Sequence, residues 1–322
     1  MVIKKSLLRR IAIATSALAI LLLLYFFPTT QGIDEDNFLQ QLVYTNETEK
    51  TVIFLIDQND YVAKTSMFIN AKEKDELIKG IIEALIINGK SQNHIPNGFK
   101  PIIPEGTTLK SHSLDENGLL KVDFSKEILN IKPENEEKMV EAIVFSLTTI
   151  TDVKKVMIFV EGEHLKELPH SKRLLPTTLD RSYGINKTYD LSSFKNATAT
   201  IVYYIGKFNE SYYFVPVTYV TNSTVSKVEI IINELKTSPI YQTNLMSYLA
   251  TNAELLNYEI TEEKINMSFN RYLLESFEDK SILEEVKYTI ALSIKDNFNV
   301  NEVVFSVDNE KIMSIPLKQL NN

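Results

Sequence analysis

The sequence contains no cysteine and no tryptophan, and only nine of its 322 residues are glycine. Without cysteine the chain forms no disulfides, zinc–thiolate sites or iron–sulfur clusters, and it has neither a cysteine nucleophile nor a cysteine for N-terminal lipid attachment. No Walker A or G-x-G-x-x-G phosphate-binding loop is present. The composition, 44% hydrophobic and 24% charged, is that of a globular protein, and the length suggests two domains.

The N-terminus differs from the rest of the chain. Four basic residues, Lys4, Lys5, Arg9 and Arg10, precede the apolar run IAIATSALAILLLLYFF at 11–27. This run is at the short limit for a spanning helix and is long for a signal-peptide core. Because signal peptidase needs small residues just after the run, where this chain has Tyr, Phe and Pro, an uncleaved signal anchor is favoured over a cleaved signal peptide. Basic residues stay in the cytoplasm, so we expect a single-pass membrane protein with most of the chain outside the cytoplasm.

The charge of the remaining chain is strongly negative. The net charge is −8, and because the basic tail contributes four positive charges, the rest of the chain carries −12. An acidic surface repels the phosphates of nucleic acids, so we expect no nucleic-acid partner.

The sequence repeats itself. TDVKKVMIFVEGEH (151–164) aligns with FNVNEVVFSVDNEK (298–311), and TVIFLI (51–56) aligns with TIVYYI (200–205). Between these segments, KVDFS (121–125) aligns with KINMS (264–268) at an offset of 143 residues. Similarity spread over a whole unit indicates a tandem duplication of a domain, since the period is far above that of solenoid repeats.

The periodicity predicts an α+β fold of two tandem β(β)αββαβ units. Each copy has two helical stripes of apolar residues, such as Ile78, Ile81, Ile82 and Leu85, or Val140, Ile143, Val144 and Leu147. One stripe buries one helix face, so we expect both helices to cover one face of a small mixed sheet and not to lie between two sheets. Ile143 and Ile290 should occupy equivalent core positions, as should Val156 and Val303.

The predicted organisation has five parts. They are a basic tail and signal anchor (1–29, with the helix at 11–27), a polar spacer (30–48), a first domain (49–182), a linker (183–198) and a second domain (199–322).

No candidate residue forms a convincing catalytic or metal-binding motif. The four histidines are His94, His112, His164 and His170, and only His164 has acids nearby, Glu161 and Glu163. A zinc site needs three or four convergent ligands, so a histidine in a surface turn is the better interpretation of His164. We therefore predict no catalytic residues, no metal site and no cofactor.

Asp123 and its aligned partner Asn266 are predicted to have structural hydrogen-bonding roles, because each lies in an alternating strand. The aligned serines Ser125 and Ser268 are predicted to cap the helical turns that follow, since no G-x-S-x-G elbow surrounds them. Asn-x-Ser/Thr triplets begin at Asn46, Asn186, Asn196, Asn209, Asn222 and Asn266, and in a chain this rich in asparagine they carry little weight.

The first copy resembles the GerMN-domain family of sporulation and germination proteins. The pattern comprises a Pro-x-Gly-Thr turn, a V-D-F/L-S strand end, a helix that runs into a T-L-T-like stretch, and a V-x-x-V strand that ends in Glu/Asp-Gly. It falls on Pro104, Gly106, Thr107, Val122, Asp123, Phe124, Ser125, Leu147, Thr148, Val153, Val156, Glu161 and Gly162. The second copy keeps Ile265, Ser268, Val300, Val303 and Asp308 and replaces Pro-Glu-Gly-Thr with Thr-Asn-Ala-Glu at 251–254.

The resemblance implies two domains outside the cell membrane that help to assemble an envelope complex in sporulation or germination, with envelope proteins as partners and no enzymatic activity. Many relatives are lipoproteins with an acylated cysteine, which this chain lacks, so 11–27 takes the place of the lipid. Exposed sheet edges in such modules also make self-association possible. Two alternatives are an envelope enzyme and a ligand- or peptidoglycan-binding module, for which loops 88–105 and 237–252 would line a cleft between the domains.

Overall fold

The computed structural model describes residues 50–191, 195–237 and 243–321. The predicted signal anchor at 11–27 and the spacer at 30–48 lie outside the described residues. Within the described ranges, no helix combines the length and apolar character needed to cross a membrane.

The first copy follows the predicted order of elements and adds two short strands, one before its second hairpin and one at its end. A hairpin of β1 (Lys50–Asp57) and β2 (Val62–Phe68) leads into helix α1 (Lys74–Leu85). The short β3 (Phe99–Lys100) precedes a second hairpin, β4 (Leu109–Leu114) and β5 (Leu119–Phe124). Helix α2 (Glu136–Leu147), β6 (Lys155–Val160) and β7 (Glu163–His164) complete the copy. The predicted turn at Asn117-Gly118 connects β4 and β5, where Gly118 has the positive φ that such a turn requires.

After a short strand in the predicted linker, β8 (Thr188–Asp190), the second copy repeats this order without a counterpart of β3 among the described residues. Its first hairpin is β9 (Thr198–Phe208) and β10 (Ser211–Thr221), followed by α3 (Lys227–Thr237). The second hairpin comprises β11 (Leu255–Ile260) and β12 (Lys264–Phe269), and α4 (Glu284–Asn297), β13 (Glu302–Val307) and β14 (Glu310–Pro316) follow. A 3-10 turn at Leu317–Asn321 ends the described chain.

Each copy contains the predicted small mixed sheet. The order is β4-β5-β6-β7 in the first copy and β11-β12-β13-β14 in the second, and in each sheet only the two central strands are parallel. The first hairpin of each copy does not join that sheet, however. The two hairpins combine with each other into one six-stranded sheet with the order β3-β1-β2-β10-β8, in which β9 pairs with β10. The prediction of one sheet per copy is therefore wrong, because a shared sheet satisfies the edges that two separate hairpins would leave open.

The prediction that neither helix lies between two sheets is also wrong. Every side chain from Met139 to Leu147 of α2 is buried, and the helix contacts β1 and β2 of the shared sheet as well as β6 of the four-stranded sheet. In α4 every side chain from Thr289 to Ile294 is buried as well. The apolar stripe marks one face correctly, but Ala142, Ser146 and other small side chains allow the second face to pack against a strand.

Two serines show how the helices cover the edges of the shared sheet. The backbone N–H of Phe54 in β1 donates to Ser146 Oγ at 2.9 Å, and the N–H of Tyr203 in β9 donates to Ser293 Oγ at the same distance. These residues occupy equivalent positions in the two copies. Each helix therefore supplies an acceptor to a strand edge that would otherwise be open.

The repeat is confirmed by the pairing of the strands, with one correction to the alignment. Parallel pairing places Phe124 opposite Val160 and Phe269 opposite Val307, so the offset between β5 and β12 is 145 residues and not 143. Asp123 therefore corresponds to Ser268. A slip of two residues preserves the alternation of inward and outward side chains, so the periodicity alone could not detect it.

The predicted core positions are buried in both copies. Ile143, Ile290, Val156 and Val303 all have a relative exposure of 0%. Val156 and Val303 lie at the same register position of the parallel pairs β5–β6 and β12–β13, opposite Leu120 and Ile265. The sequence equivalences thus correspond to structural equivalences.

Candidate functional site

The contact surface between the two copies, here called the junction, holds most of the buried charge of the described chain. Among the described residues, its strand pairing is one antiparallel bridge between Lys64 of β2 and Phe214 of β10. On one side of this bridge the pairing is completed by a side chain, and on the other side the strands separate.

Asn186 completes the pairing on the first side. Its Oδ1 accepts from the N–H of Val62 at 2.9 Å, and its Nδ2 donates to the carbonyls of Val62 and Pro216 at 2.8 and 2.7 Å. Because proline has no N–H, β10 cannot continue the ladder at Pro216, and the asparagine amide takes the place of the missing strand contact. Asn186 has a φ of 49°, a conformation that asparagine tolerates better than most residues. Sequence reasoning treated Asn186 only as part of a chance triplet and missed this role.

Arg181 and Asp296 form a largely buried ion pair across the junction, with 21% of the arginine side chain and 4% of the aspartate side chain exposed. Arg181 Nη1 lies 2.6 Å from Asp296 Oδ2, and the same oxygen accepts from the Tyr203 hydroxyl at 2.5 Å. The guanidinium also donates to the Phe145 carbonyl at 3.3 Å and stacks 4.9 Å from the Phe145 ring. Burial opposes the charge of Arg181, but Asp296 and Tyr203 outweigh it, so the pKa of Arg181 is raised. The arginine of the first copy is thereby fixed to the last helix of the second.

Two lysines lie close to this pair. Lys64 Nζ donates to the carbonyl of Leu320 at 3.0 Å, which ties β2 to the C-terminal turn. Burial lowers the pKa of Lys64 to about 8, and burial together with the positive charge of Lys64 lowers the pKa of Lys295 to about 7. Three cations therefore surround one carboxylate, and the lysines hold their charge weakly at neutral pH.

Two further carboxylates accept hydrogen bonds at the junction. Glu141, 2% exposed, accepts from Lys187 Nζ at 2.8 Å and from the N–H of Asn186 at 2.9 Å. Asp57 of the first copy accepts from the hydroxyl of Tyr213 in the second copy at 2.9 Å. Burial raises the pKa of both Glu141 and Asp57 above that of a solvated carboxyl, against the hydrogen bonds that favour their charged forms. Each buried carboxylate is satisfied by protein donors.

The strands separate on the other side of the Lys64–Phe214 bridge and leave a cavity of about 360 Å³, here called the cleft. The predicted loop 88–105 contributes Pro96, Asn97 and Phe99 to its wall. The remaining lining residues are Lys50, Lys64, Thr65 and Ser66 of the first copy and Phe208, Asn209, Ser211, Tyr212, Tyr213 and Phe214 of the second. None of the lining residues is a carboxylate or a histidine.

The structure does not bring the four histidines together. His112 Nε2 lies 2.5 Å from Asp75, His164 Nε2 contacts the Thr177 carbonyl at 3.2 Å, and His170 Nε2 donates to the Ile131 carbonyl at 2.6 Å. His94 ends a short 3-10 turn. Over the described ranges, no group of three or more His, Asp or Glu side chains is arranged to hold a metal ion.

The predicted structural role of Asp123 is confirmed, since its Oδ1 accepts from the N–H of Gly162 at 3.0 Å. Ser125 precedes a 3-10 turn as predicted, but its hydroxyl accepts from the N–H of Thr108 instead of capping the turn. The prediction for Ser268 is wrong, because this serine lies within β12. Asn270 takes the place of Ser125 in the second copy: its side chain accepts from the N–H groups of Glu254 and Tyr272.

Comparison with known proteins matches both copies to one family. The family profile described as "Germane: Sporulation and spore germination" matches residues 51–166 and 201–312. The spore germination protein GerM of Bacillus subtilis (strain 168) is 29% identical over 263 residues, which cover 80% of this chain and 70% of GerM. The solved structure of the tandem GerMN domains of the sporulation protein GerM from Bacillus subtilis superposes with a TM-score of 0.75 at 28% identity, covering 82% of this chain and 92% of that one.

Proposed function

The chain belongs to the Germane family of sporulation and spore germination proteins, and from that premise we propose that it is a membrane-anchored, non-catalytic assembly factor. Its two family domains act outside the cytoplasm as one scaffold within an envelope complex of sporulation or germination. The observation that carries the proposal is the junction, where buried charges fix two family domains into one unit.

The hydrogen bonds made by the buried carboxylates favour a scaffold over an enzyme. An enzyme keeps its reactive side chains accessible to substrate and sets their pKa values for proton transfer. Here the carboxylates of Asp57, Glu141 and Asp296 accept hydrogen bonds from the opposite copy or from the segment that connects the copies. Groups committed to joining two domains are unavailable for chemistry on a substrate.

The anchor is the second part of the proposal. The basic residues before 11–27 and the apolar run itself support a single-pass topology with the N-terminus in the cytoplasm. Intact mass spectrometry of the protein extracted from membranes tests it. We expect a mature chain that begins at or near residue 1, whereas a soluble secreted form that begins near residue 30 would contradict the anchor.

Affinity purification of the tagged full-length chain from membranes tests the assembly role. Samples would be taken through sporulation, and envelope proteins should co-purify with the wild-type chain. The Arg181→Met variant should lose them because the two domains no longer keep one relative orientation. The matched control is Lys280→Ala, which removes the exposed Lys280–Glu310 ion pair of 2.6 Å and should retain the partners. Equal recovery with both variants would contradict a role for the fixed domain pair.

A ligand-binding module, for example one for peptidoglycan strands, is a second candidate function, and the cleft favours it. A cavity of about 360 Å³ between two domains has the size and position of many ligand sites. Sedimentation of the full-length chain with purified peptidoglycan distinguishes the two candidates. Retention that is abolished by the cleft variant Ser66→Leu would favour the binding module, and no retention would favour the scaffold alone.

A further inference from the structure

The cleft exposes part of a strand edge. Asp57 and Tyr61 close the β1–β2 hairpin through a backbone hydrogen bond, which sets the alternation of the antiparallel ladder. By that alternation Val62, Lys64, Ser66 and Phe68 direct their N–H and C=O groups away from β1. Val62 pairs with Asn186 and Lys64 pairs with Phe214, but beyond that bridge β2 has no further register partner in β10 among the described residues.

Ser66 supplies a second, independent observation. The residue is 8% exposed, and its hydroxyl has no hydrogen-bond partner within the described part of the chain. A buried hydroxyl without a partner costs free energy, and native proteins usually satisfy such groups. Ser66 lines the cleft, so an occupant of the cleft with hydrogen-bonding groups would satisfy it.

The charge of the cleft indicates the chemistry of this occupant. Two lysines, Lys50 and Lys64, line the cleft and no acidic side chain does, although the chain as a whole carries a net charge of −8. Lys64 uses one of its three ammonium protons on the Leu320 carbonyl and can donate to a further acceptor. The walls also present aromatic rings, including the edge-to-face pair of Phe99 and Tyr213 at 4.9 Å. Cations beside aromatic side chains suit an acidic occupant with apolar neighbours.

We propose that the cleft binds an extended acidic segment of another protein, which adds to the free edge of β2 at Ser66–Phe68 and places a carboxylate on Lys64. Strand addition supplies backbone hydrogen bonds, and the aromatic walls accept alternate side chains of the added strand. The proposal rests on the assembly role in one respect: it takes the occupant of the cleft to be part of a partner protein.

A synthetic peptide tests the proposal on the full-length chain in detergent. The probe is a fluorescein-labelled heptapeptide that alternates valine with glutamate, and its control replaces every glutamate with glutamine. We expect the acidic probe to bind at least about tenfold more tightly, a difference of about 1.4 kcal/mol. Its binding should weaken with added salt, because the contact with Lys64 is partly screened. Equal binding of the two peptides, or no binding of either, would overturn the proposal.

Variants at the mouth of the cleft locate the binding. Asn97 lines the cleft and is exposed, so changes there leave the core intact. Asn97→Glu should weaken the acidic probe about tenfold by repulsion, and Asn97→Gln should not. In hydrogen exchange, the amides of Ser66 and Phe68 should slow when the probe is bound. Unchanged exchange there, or equal binding by both variants, would place the peptide elsewhere and overturn the proposal.

One competing occupant belongs to this chain. The sequence VYTNETE at 43–49 is acidic and directly precedes Lys50, which lines the cleft. If the probe bound only to the Glu47→Gln/Glu49→Gln variant, the chain's own segment would be the occupant and the assignment to a partner would be wrong. A different result would contradict the assembly role alone: the probe binds the wild-type chain, but no envelope protein co-purifies with it.

Discussion

At the scale of single residues, the junction depends on a few groups that are costly to bury alone. Asp296 has a side-chain exposure of 4% and receives the Arg181 guanidinium and the Tyr203 hydroxyl on one oxygen. A buried ion pair adds little net stability compared with an apolar pair, but the removal of one partner leaves an uncompensated charge. The charges of Arg181 and Asp296 are therefore compensated only when the two copies are in contact.

Arg181→Met should lower the free energy of unfolding by about 3–5 kcal/mol, because Asp296 would stay buried without its partner. The matched change Lys280→Ala, at an exposed ion pair, should lower it by no more than about 0.5 kcal/mol. Urea denaturation of the full-length chain in detergent measures both. Equal effects of the two substitutions would show that the Arg181 pair is not buried as described.

The two junction lysines predict a dependence of stability on pH. Their folded-state pKa values, about 8 for Lys64 and about 7 for Lys295, lie below the ordinary lysine value of 10.5. The unfolded chain therefore binds more protons than the native chain between about pH 7 and 10.5, so stability should rise with pH across this window. Below about pH 7 both lysines are charged in both states, so the dependence on pH levels off and the native chain carries the full cost of their buried charge.

Thermal melting between pH 6.5 and 9.5 measures this dependence. The charged groups that act on the two lysines are Arg181, which disfavours their charged forms, and Asp296, which favours them. Lys295→Met should flatten the rise of the melting temperature with pH, since it removes the group with the lower pKa. A wild-type melting temperature that falls with pH over this range would contradict the prediction.

At the scale of elements, the second helix of each copy packs against the shared sheet. Helix α2 contacts β1 and β6, and its Ser146 accepts from the N–H of Phe54 in β1, while α4 contacts β9, where its Ser293 accepts from the N–H of Tyr203. The isoleucines one turn before these serines, Ile143 and Ile290, are fully buried. The two helices thus have the same structural role in both copies.

Truncation of either isoleucine should therefore have a similar cost. Ile143→Ala and Ile290→Ala should each lower the free energy of unfolding by about 2–5 kcal/mol, as losses of buried aliphatic side chains do. Chemical denaturation of the two variants measures the effect. Neutral results for both would show that these positions are not core positions.

The C-terminal turn is a second element that spans the junction. Leu317 is 2% exposed, Leu320 packs against the cores of both copies, and the Leu320 carbonyl accepts from Lys64. Ending the chain after Pro316 should lower stability by at least about 1.5–3 kcal/mol, the value for exposing one buried leucine. The urea midpoint measures this loss, and Gln319→Ala, at an exposed position of the same turn, is the control. A truncation as mild as that control would show that the turn does not hold the copies together.

The elements themselves could be predicted well from the sequence because their signals are local. The stripe at Ile78–Leu85, the turn at Asn117-Gly118 and the two alternating hairpins each depend on neighbours a few residues apart. The two-residue slip between β5 and β12 could not be detected, because an alternating strand looks the same after a shift of two. Asn186 was missed for a different reason: its partners Val62 and Pro216 are 124 and 30 residues away.

At the scale of the whole molecule, the two copies join as one structure through their first hairpins. In the shared sheet, β1 and β2 of the first copy correspond to β9 and β10 of the second, and β2 meets β10 antiparallel at Lys64 and Phe214. The sequence repeat predicted two units. It could not predict that the first hairpins of the two copies pair with each other, because the same alternating pattern is expected of a hairpin that pairs within its own copy. The resemblance to the GerMN family predicted two tandem domains, but it did not predict which surfaces of the two domains are in contact.

The central claim, that the junction makes the two family domains one unit, is tested most directly by scanning calorimetry of the full-length chain in detergent. One transition is predicted, with a calorimetric enthalpy equal to the van't Hoff enthalpy, because neither copy can unfold without exposing the shared sheet and the Arg181–Asp296 pair. Arg181→Met should then shift this single transition as a whole or split it into two. Two separate transitions in the wild-type chain, with only one of them moved by Arg181→Met, would contradict the claim.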